Sequence, residues 1–187
     1  PEPKYLKLAL KLGHHLVNHF WDSKNNSFFM TSDDHEKLIV RPKSNYDLSL
    51  PSGNSVSAFV MLRLYHLSQE QNFLEIVTKI LESQAQMAAE NPFGFGYLLN
   101  TLSIYLQKPV EITIINTENS EICKSLLTNY LPNSFMVTIQ NSTQLENLSE
   151  FPFFAGKTFE DKTSVFVCKD FSCSLPLHTI DEINSHL

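Results

Sequence analysis

The spacing of the apolar residues changes at Lys108-Pro109, and this change limits what the chain can fold into. Before it, apolar residues recur at three- and four-residue steps, which is typical of amphipathic helices. After it, short β-rich runs such as Val110–Ile115 alternate with shorter helical segments. We therefore predict a mainly helical region over residues 1–107, followed by a small α/β region over residues 108–187.

The first region is predicted to consist of antiparallel helical hairpins with one short β-hairpin. Its apolar pattern predicts helices over residues 4–20, 55–67, 71–89 and 94–106. Two runs between the first two helices, Phe28–Thr31 and Leu38–Arg41, predict the β-hairpin, with Asp33-Asp34 between them. The second helix is apolar on most sides, which predicts burial between other helices. Ser52 or Asn54 is expected to cap its N-terminus.

The second region is predicted to form a small sheet with crossover helices. The pattern predicts strands over residues 110–115, 135–139 and 164–168, a helix over 118–131, and a short last helix that contains Ile180 and Ile183. The order strand, helix, strand with apolar strands is typical of parallel pairing, so we predict a mostly parallel sheet.

The charge distribution excludes some partners. The net charge of −6 arises in residues 109–187, which contain no Arg, so nucleic acid is not an expected partner. No apolar run approaches the roughly 20 residues of a membrane span, and no leader precedes the first helix, so we predict a cytoplasmic protein. Since Pro1-Glu2-Pro3 lacks an initiator methionine, we expect the chain to be a piece of a longer protein.

A polar loop, residues 41–55, leads directly into the second helix and supplies the candidate ligand-binding residues. The planar guanidinium of Arg41 can bind a carboxylate or several hydroxyls, and Lys43 adds a second cation. Tyr46 can stack on a sugar ring, and Asn54 can orient a ligand oxygen. Asp47 can accept sugar hydroxyls or act as an acid or base, which makes it the candidate catalytic residue.

The same loop has a purely structural interpretation. Arg41 and Asp47 would then pair with each other, and Asn54 would only cap the helix. Glycoside hydrolysis would also need two suitably spaced carboxylates, so Asp47 would have to combine with Asp33 or Asp34. The sequence therefore assigns no catalytic residue.

The cysteines and histidines allow no metal site to be predicted. Cys168 and Cys173 form a C-x4-C motif that lacks the second ligand pair of a zinc site, so they are either a strand-end disulfide or two free thiols. His15 and His19 stand one helical turn apart, but no acid accompanies them as it does in H-E-x-x-H. Since there is also no Gly-rich phosphate loop, we predict no cofactor.

Several motifs together resemble one family along essentially the whole chain. They are Phe20-Trp21-Asp22, Phe28-Phe29, Arg41-Pro42-Lys43, Asp47, residues 51–58, residues 62–64, residues 109–111 and residues 167–176. Their order and spacing resemble the C-terminal part of the thioredoxin-domain-containing proteins of the spermatogenesis-associated protein 20-like family. The most specific parts are Pro-Ser-Gly-Asn-Ser-Val and the final C-x4-C-x-x-Pro.

The resemblance implies a thioredoxin-like domain followed by a six-hairpin (α/α) toroid, similar to those of sugar 2-epimerases and six-hairpin glycosidases. The chain would then hold the last toroid hairpins and a small α/β appendage, and its partners would be the upstream parts of the same protein.

The resemblance leaves two functions open. The first is carbohydrate binding or processing, as an epimerase-, isomerase- or glycosidase-like enzyme if catalytic, and it requires the loop to face a concave, aromatic-rich pocket. The second is a non-catalytic scaffold for the thioredoxin-like domain, with Cys168 and Cys173 as a redox-responsive pair. The scaffold predicts loop ion pairs that close on themselves and accessible thiols.

Overall fold

The structure, a computed structural model, describes residues 2–36, 39–117 and 121–187. These residues contain both helices and sheets and form two compact units. One unit is Leu6–Leu106, and the other is built mainly from Gln107–Leu187. Within the described ranges, no helix is both long enough and apolar enough to cross a membrane.

The four predicted helices of the first region are confirmed. They are α1 (Pro3–Phe20), α2 (Gly53–Ser68), α3 (Gln71–Glu90) and α4 (Gly96–Gln107). A short 3-10 segment, Pro92–Phe95, precedes α4. Ser52 caps α2, because its hydroxyl accepts a hydrogen bond from the Ser55 amide at 3.0 Å.

Helices α2 and α3 form most of the core of the first unit. Met61, Phe73 and Ile80 are fully buried, and burial of each such side chain contributes about 1.5–3 kcal/mol. Helix α1 packs closely on this pair at Gly13, where an added Cβ would lie 2.5 Å from Leu64 Cδ1. A larger residue at this helix contact would therefore displace the buried Leu64 side chain.

The predicted β-hairpin is wrong in its position. The hairpin instead joins β1 (Trp21–Asp22) to β2 (Ser27–Phe28), and the described part of the predicted second strand, residues 39–41, is not a strand. Leu38 lies outside the described residues. The Asp22 carboxylate closes the turn by accepting hydrogen bonds from the Lys24 amide at 3.0 Å and the Asn25 side chain at 2.7 Å. Asn26 completes the turn with a φ of 50°.

Two helices leave apolar side chains exposed that the sequence pattern places inside. On α2, Val56 and Val60 are 37% and 39% exposed, so the prediction of burial on most sides is wrong for this face. On α1, Leu8 and Leu12 belong to the apolar face that the helical spacing forms, yet they are 49% and 57% exposed. Periodicity shows which face is apolar, but burial needs a neighbouring element.

The second unit contains one four-stranded sheet. Its strands are β3 (Val110–Ile115), β4 (Ser134–Ile139), β5 (Ser164–Lys169) and β6 (Ser172–Cys173), in the spatial order β4-β3-β5-β6. Its helices are α5 (Glu121–Thr128), α6 (Ser142–Leu148) and α7 (Ile180–Asn184). This unit also contains a 3-10 segment, Pro152–Phe154. The sequence pattern predicts all of these elements except β6, α6 and the 3-10 segment.

The sheet is mixed, so the prediction of a mostly parallel sheet is wrong. Strands β3 and β4 are parallel, as the intervening helix predicts, but β3–β5 and β5–β6 are antiparallel. The β5–β6 turn has φ angles of 51° at Asp170 and 60° at Phe171, both left-handed. Two such residues in a two-residue turn are typical of a type I′ hairpin, which forces antiparallel pairing.

The second unit buries both faces of this sheet, and one hydrophobic cluster lies on a single face. Ile112, Ile114, Val165 and Val167 pack there against Leu126 of α5, Leu177 and Ile183 of α7. The apolar face of the helix predicted over residues 118–131 is buried only in part. Leu126 is buried, but Leu127 and Tyr130 are 66% and 88% exposed, and residues 118–120 lie outside the described ranges.

Candidate functional site

A cavity of about 630 Å³ lies in the first unit beside the polar loop. Four aromatic side chains line it: Phe20, Phe28, Phe29 and Tyr46. Its polar lining comes from serines and one amide: Ser44, Ser49, Ser52, Ser57 and Asn54. Leu48 and Leu50, which also line it, are 86% and 78% exposed. The loop therefore borders a concave, open and aromatic-rich surface.

Asn54 joins three segments around this cavity. Its Oδ1 accepts a hydrogen bond from the Phe28 amide at 2.6 Å, and its Nδ2 donates to the Phe28 carbonyl at 3.1 Å. Nδ2 also donates to the Ser44 carbonyl at 2.9 Å and to Asn45 Oδ1 at 3.0 Å. Since the side chain is 1% exposed and its donors are engaged, Asn54 holds β2 and the loop on α2. It is neither a free ligand contact nor the helix cap.

Asp47 binds the N-termini of two helices. Its Oδ1 accepts a hydrogen bond from the Ser52 amide at 2.7 Å, at the start of α2. Its Oδ2 accepts from the Tyr97 and Leu98 amides at 2.8 and 3.3 Å, at the start of α4. Such amides are otherwise unsatisfied and favour a negative charge. Asp47 is therefore a double helix cap.

The protonation state of Asp47 agrees with a capping role. Burial raises the pKa of its carboxyl. Hydrogen bonds from the Ser52 amide, the Ser55 hydroxyl and the Tyr97 and Leu98 amides lower this pKa by a larger amount. The net result is a pKa below the usual value. An ionised carboxylate whose oxygens are held by amides is a poor proton donor at neutral pH.

The two loop cations also contact the protein rather than the cavity. Arg41 donates from Nη2 to the His19 carbonyl at 2.9 Å and the Thr31 carbonyl at 2.6 Å, and its guanidinium lies 4.0 Å from the Phe29 ring centroid. Lys43 forms an ion pair with Asp22 and lies 4.5 Å from the same ring. Neither cation lines the cavity. Among the contacts of the described residues, Arg41 does not form the ion pair with Asp47 that the structural interpretation requires.

Tyr46 is the predicted residue that is best placed to meet a ligand. It lines the cavity and is 48% exposed, while its ring packs 5.1 Å from that of Phe95. The structure thus brings Tyr46 and Asn54 to the cavity but directs Arg41, Lys43 and Asp47 elsewhere. Sequence reasoning missed the lining phenylalanines and serines, although Phe28-Phe29 and residues 51–58 are among the family motifs.

The structure also gathers titratable groups at the C-terminal end of α1. His19 Nδ1 lies 2.7 Å from Asp33 Oδ1 and 3.9 Å from Asp34 Oδ2. The ring of His15 lies 4.4 Å from that of His19, centroid to centroid. Acids do accompany the histidine pair, but they come from a loop instead of the helix, so the spacing within α1 could not indicate them.

Cys168 and Cys173 form a disulfide between β5 and β6, where they are directly paired across the strands. Cys168 is buried, whereas Cys173 is exposed, with Lys157 Nζ at 3.7 Å from its sulfur. Of the two alternatives left by the sequence, the structure has the strand-end disulfide.

Comparison with known proteins gives one consistent result. Human spermatogenesis-associated protein 20 is 25% identical over 182 residues, which cover 94% of this chain, and the rat protein of that name matches to the same extent. An uncharacterized protein of Caenorhabditis elegans is 22% identical over 184 residues, or 96% of the chain. The chain resembles spermatogenesis-associated protein 20 along almost its whole length. No family model matches it.

This similarity supports the family that the motifs indicate. The chain spans only about a quarter of the length of these relatives, at 23% of the human protein and 25% of the worm protein. The toroid and the thioredoxin-like domain concern the longer protein and stay predictions.

Reduction of the disulfide is expected to lower the free energy of unfolding by about 2 kcal/mol. The cysteines are five residues apart, and closing so short a loop removes about that much chain entropy from the unfolded state. Urea unfolding with and without a reductant measures the difference. A Cys168→Ala/Cys173→Ala variant should lose a similar amount and no longer respond to the reductant. An unchanged midpoint in the reduced wild type would contradict the prediction.

Proposed function

We propose that this chain is a non-catalytic binding module whose cavity takes a neutral, carbohydrate-sized ligand. The observation that carries the proposal is the lining, in which aromatic rings stand beside serine hydroxyls. Such a surface can pack on the apolar faces of a sugar ring and exchange hydrogen bonds with its hydroxyls. At about 630 Å³, the cavity is within the range of roughly 300–1,000 Å³ that small-molecule sites have.

The charges around the cavity favour a neutral ligand. Among the described residues that line it, none is Asp, Glu, Lys, Arg or His. A charged ligand would lose hydration without gaining a partner of opposite charge. The nearest candidates for such a partner, Arg41 and Lys43, are engaged with backbone carbonyls, Asp22 and the Phe29 ring.

The same lining argues for binding rather than catalysis. Glycoside hydrolysis uses two carboxyl groups that flank the bond, and the cavity lining has none in the described chain. Asp47 is held by helix amides, and Asp33 and Asp34 lie beside His19. Within the longer protein, the module would form the last hairpins of a six-hairpin toroid that follows a thioredoxin-like domain, in the cytoplasm.

A scaffold for other parts of the longer protein is the second candidate function. Its support is the exposed apolar face of α1, where Leu8 and Leu12 lie one helical turn apart, together with the exposed Val56 and Val60 of α2. Exposed apolar patches often mark interaction surfaces. The charged side chains of the loop bind groups within the protein, which agrees with this alternative. The accessible thiols that the alternative also predicts are absent at Cys168 and Cys173, because the two cysteines form a disulfide.

A cavity-filling variant with a matched control distinguishes the two functions. Gly53 and Gly96 are each the first residue of a helix, and a Cβ at either would meet nothing within 4 Å. Only Gly53 lines the cavity. Gly53→Phe should therefore place a ring at the cavity without a clash at Cβ and obstruct ligand binding, while Gly96→Phe should leave the cavity open.

The measurement is thermal unfolding and ligand-observed NMR with a panel of neutral mono- and disaccharides. A sugar at about 100 times its Kd should stabilise the wild type and Gly96→Phe by about 2.7 kcal/mol and leave Gly53→Phe unchanged. If no sugar binds the wild type, or if Gly53→Phe binds as the wild type does, the carbohydrate proposal is wrong and the scaffold alternative is favoured.

A further inference from the structure

We propose that His19, Asp33 and Asp34, together with His15, form a binding site for a divalent transition-metal ion such as Zn²⁺. These four residues are called the His–Asp cluster below. They lie at the end of α1 and in the loop after β2, and they contribute nothing to the lining of the cavity. The site is independent of the proposed carbohydrate function.

The distances within the His–Asp cluster suit one ion. Two ligand atoms on a tetrahedral zinc ion, each about 2.0–2.2 Å from the metal, lie roughly 3.4 Å apart. His19 Nδ1 is 2.7 Å from Asp33 Oδ1 and 3.9 Å from Asp34 Oδ2, so the observed separations fall on either side of this value. Rotation of the exposed carboxylates is enough to place all three donors around a metal.

The donors of His19, Asp33 and Asp34 lie within 4.8 Å of one another, and helix geometry makes His15, which is outside that group, the candidate for a fourth ligand. Residues at i and i+4 lie on one face of a helix, and a histidine pair at this spacing binds zinc in H-E-x-x-H helices. The His15 and His19 rings are already 4.4 Å apart, centroid to centroid. An imidazole from one turn earlier therefore reaches the same side as the loop carboxylates.

Hydrogen bonds hold the segments that carry the ligands in place. The Ser32 hydroxyl donates to Asp34 Oδ1 at 2.5 Å, which leaves Oδ2 directed towards His19. The Asp33 amide donates to the His19 carbonyl at 3.1 Å, and Arg41 bridges the His19 and Thr31 carbonyls. Partners of this kind orient ligands in metal sites.

The charge and the donor types favour a transition metal. Two carboxylates and the carbonyl end of a helix attract a cation. Among the described residues, the cation Arg41 contacts this region, but its charge is directed to backbone carbonyls and the Phe29 ring. Imidazole nitrogen binds Zn²⁺ much better than Mg²⁺ or Ca²⁺, which prefer oxygen ligands. A plain His19–Asp33 hydrogen bond is the structural alternative.

Zinc titration by calorimetry, with Co²⁺ absorption as a second readout, tests the site on the 187-residue chain. The wild type should bind one Zn²⁺, and its Co²⁺ form should show visible d–d absorption. His19→Gln and the double variant Asp33→Asn/Asp34→Asn should each weaken binding at least about tenfold, and Ser32→Ala should weaken it about tenfold through loss of orientation. Asp33 and Asp34 are more than half exposed, so the double variant is expected to fold even if His19→Gln does not.

Two control variants exclude other ligands. His186→Gln removes a histidine of the other unit, and Cys123→Ser removes the cysteine that is not part of the disulfide. Both should bind Zn²⁺ as the wild type does. The proposal is overturned if the wild type binds no zinc, if the His–Asp cluster variants bind it equally well, or if binding is lost in either control.

Discussion

The Asn54→Ala variant is expected to unfold with a free energy about 3–5 kcal/mol below that of the wild type. Truncation removes the partners of the Phe28 amide, the Phe28 carbonyl and the Ser44 carbonyl at once. Phe28 is 3% exposed, and a buried polar group without a partner costs about 1–3 kcal/mol. Urea unfolding followed by circular dichroism measures the loss.

An exposed asparagine provides the matched control. Asn100 lies on the solvent side of α4, and Asn100→Ala should change the free energy of unfolding by less than about 0.5 kcal/mol. A loss below about 1 kcal/mol in Asn54→Ala would show that the buried amide is not the structural link described above. Because the effect is structural, weaker ligand binding by this variant would not identify Asn54 as a ligand contact.

The sequence pattern correctly predicted those helices and strands that are determined by the spacing of their own apolar residues. Phe73 and Ile80 recur at helical spacing and are buried as expected, and the strand of Val110–Ile115 lies where its apolar run predicts. The position of the β-hairpin was predicted wrongly because hydrogen bonds of one side chain determine where its turn lies. Asp22 closes the turn through Lys24 and Asn25, a choice that apolar periodicity does not register.

The sequence indicated a polar loop that could border a ligand site, but it did not indicate the contacts of the loop residues. The loop does border an aromatic cavity, but four of its five candidate residues bind polar partners that are distant in sequence. Asp47 meets amides 50 and 51 residues away, and Arg41 reaches His19, 22 residues away. Residue types indicate which groups can bind a ligand, whereas only the packed fold shows which of them are already engaged.

Replacement of Asp47 should be the second most damaging change, with a loss of about 2–4 kcal/mol in the free energy of unfolding at pH 7. Asp47→Ala leaves amides of Ser52, Tyr97 and Leu98 without their acceptor, and hydrogen bonds to a charged group are stronger than neutral ones. Asp47→Asn keeps the shape but loses the charge, so it should lose less. The exposed Glu75→Gln on α3 is the control and should change the value by less than about 0.5 kcal/mol.

The pH dependence separates a capping role from a catalytic one. The pKa of Asp47 is lower in the folded state than its unfolded value of about 3.9, because the helix amides and the Ser55 hydroxyl outweigh the effect of burial. Its contribution is therefore complete above about pH 4 and is lost as the pH falls through the folded pKa. The difference between wild type and Asp47→Asn should be constant near neutral pH and shrink in acid. A variant that matched the wild type in stability at pH 7, yet lost a sugar-dependent activity, would instead make Asp47 a catalytic residue.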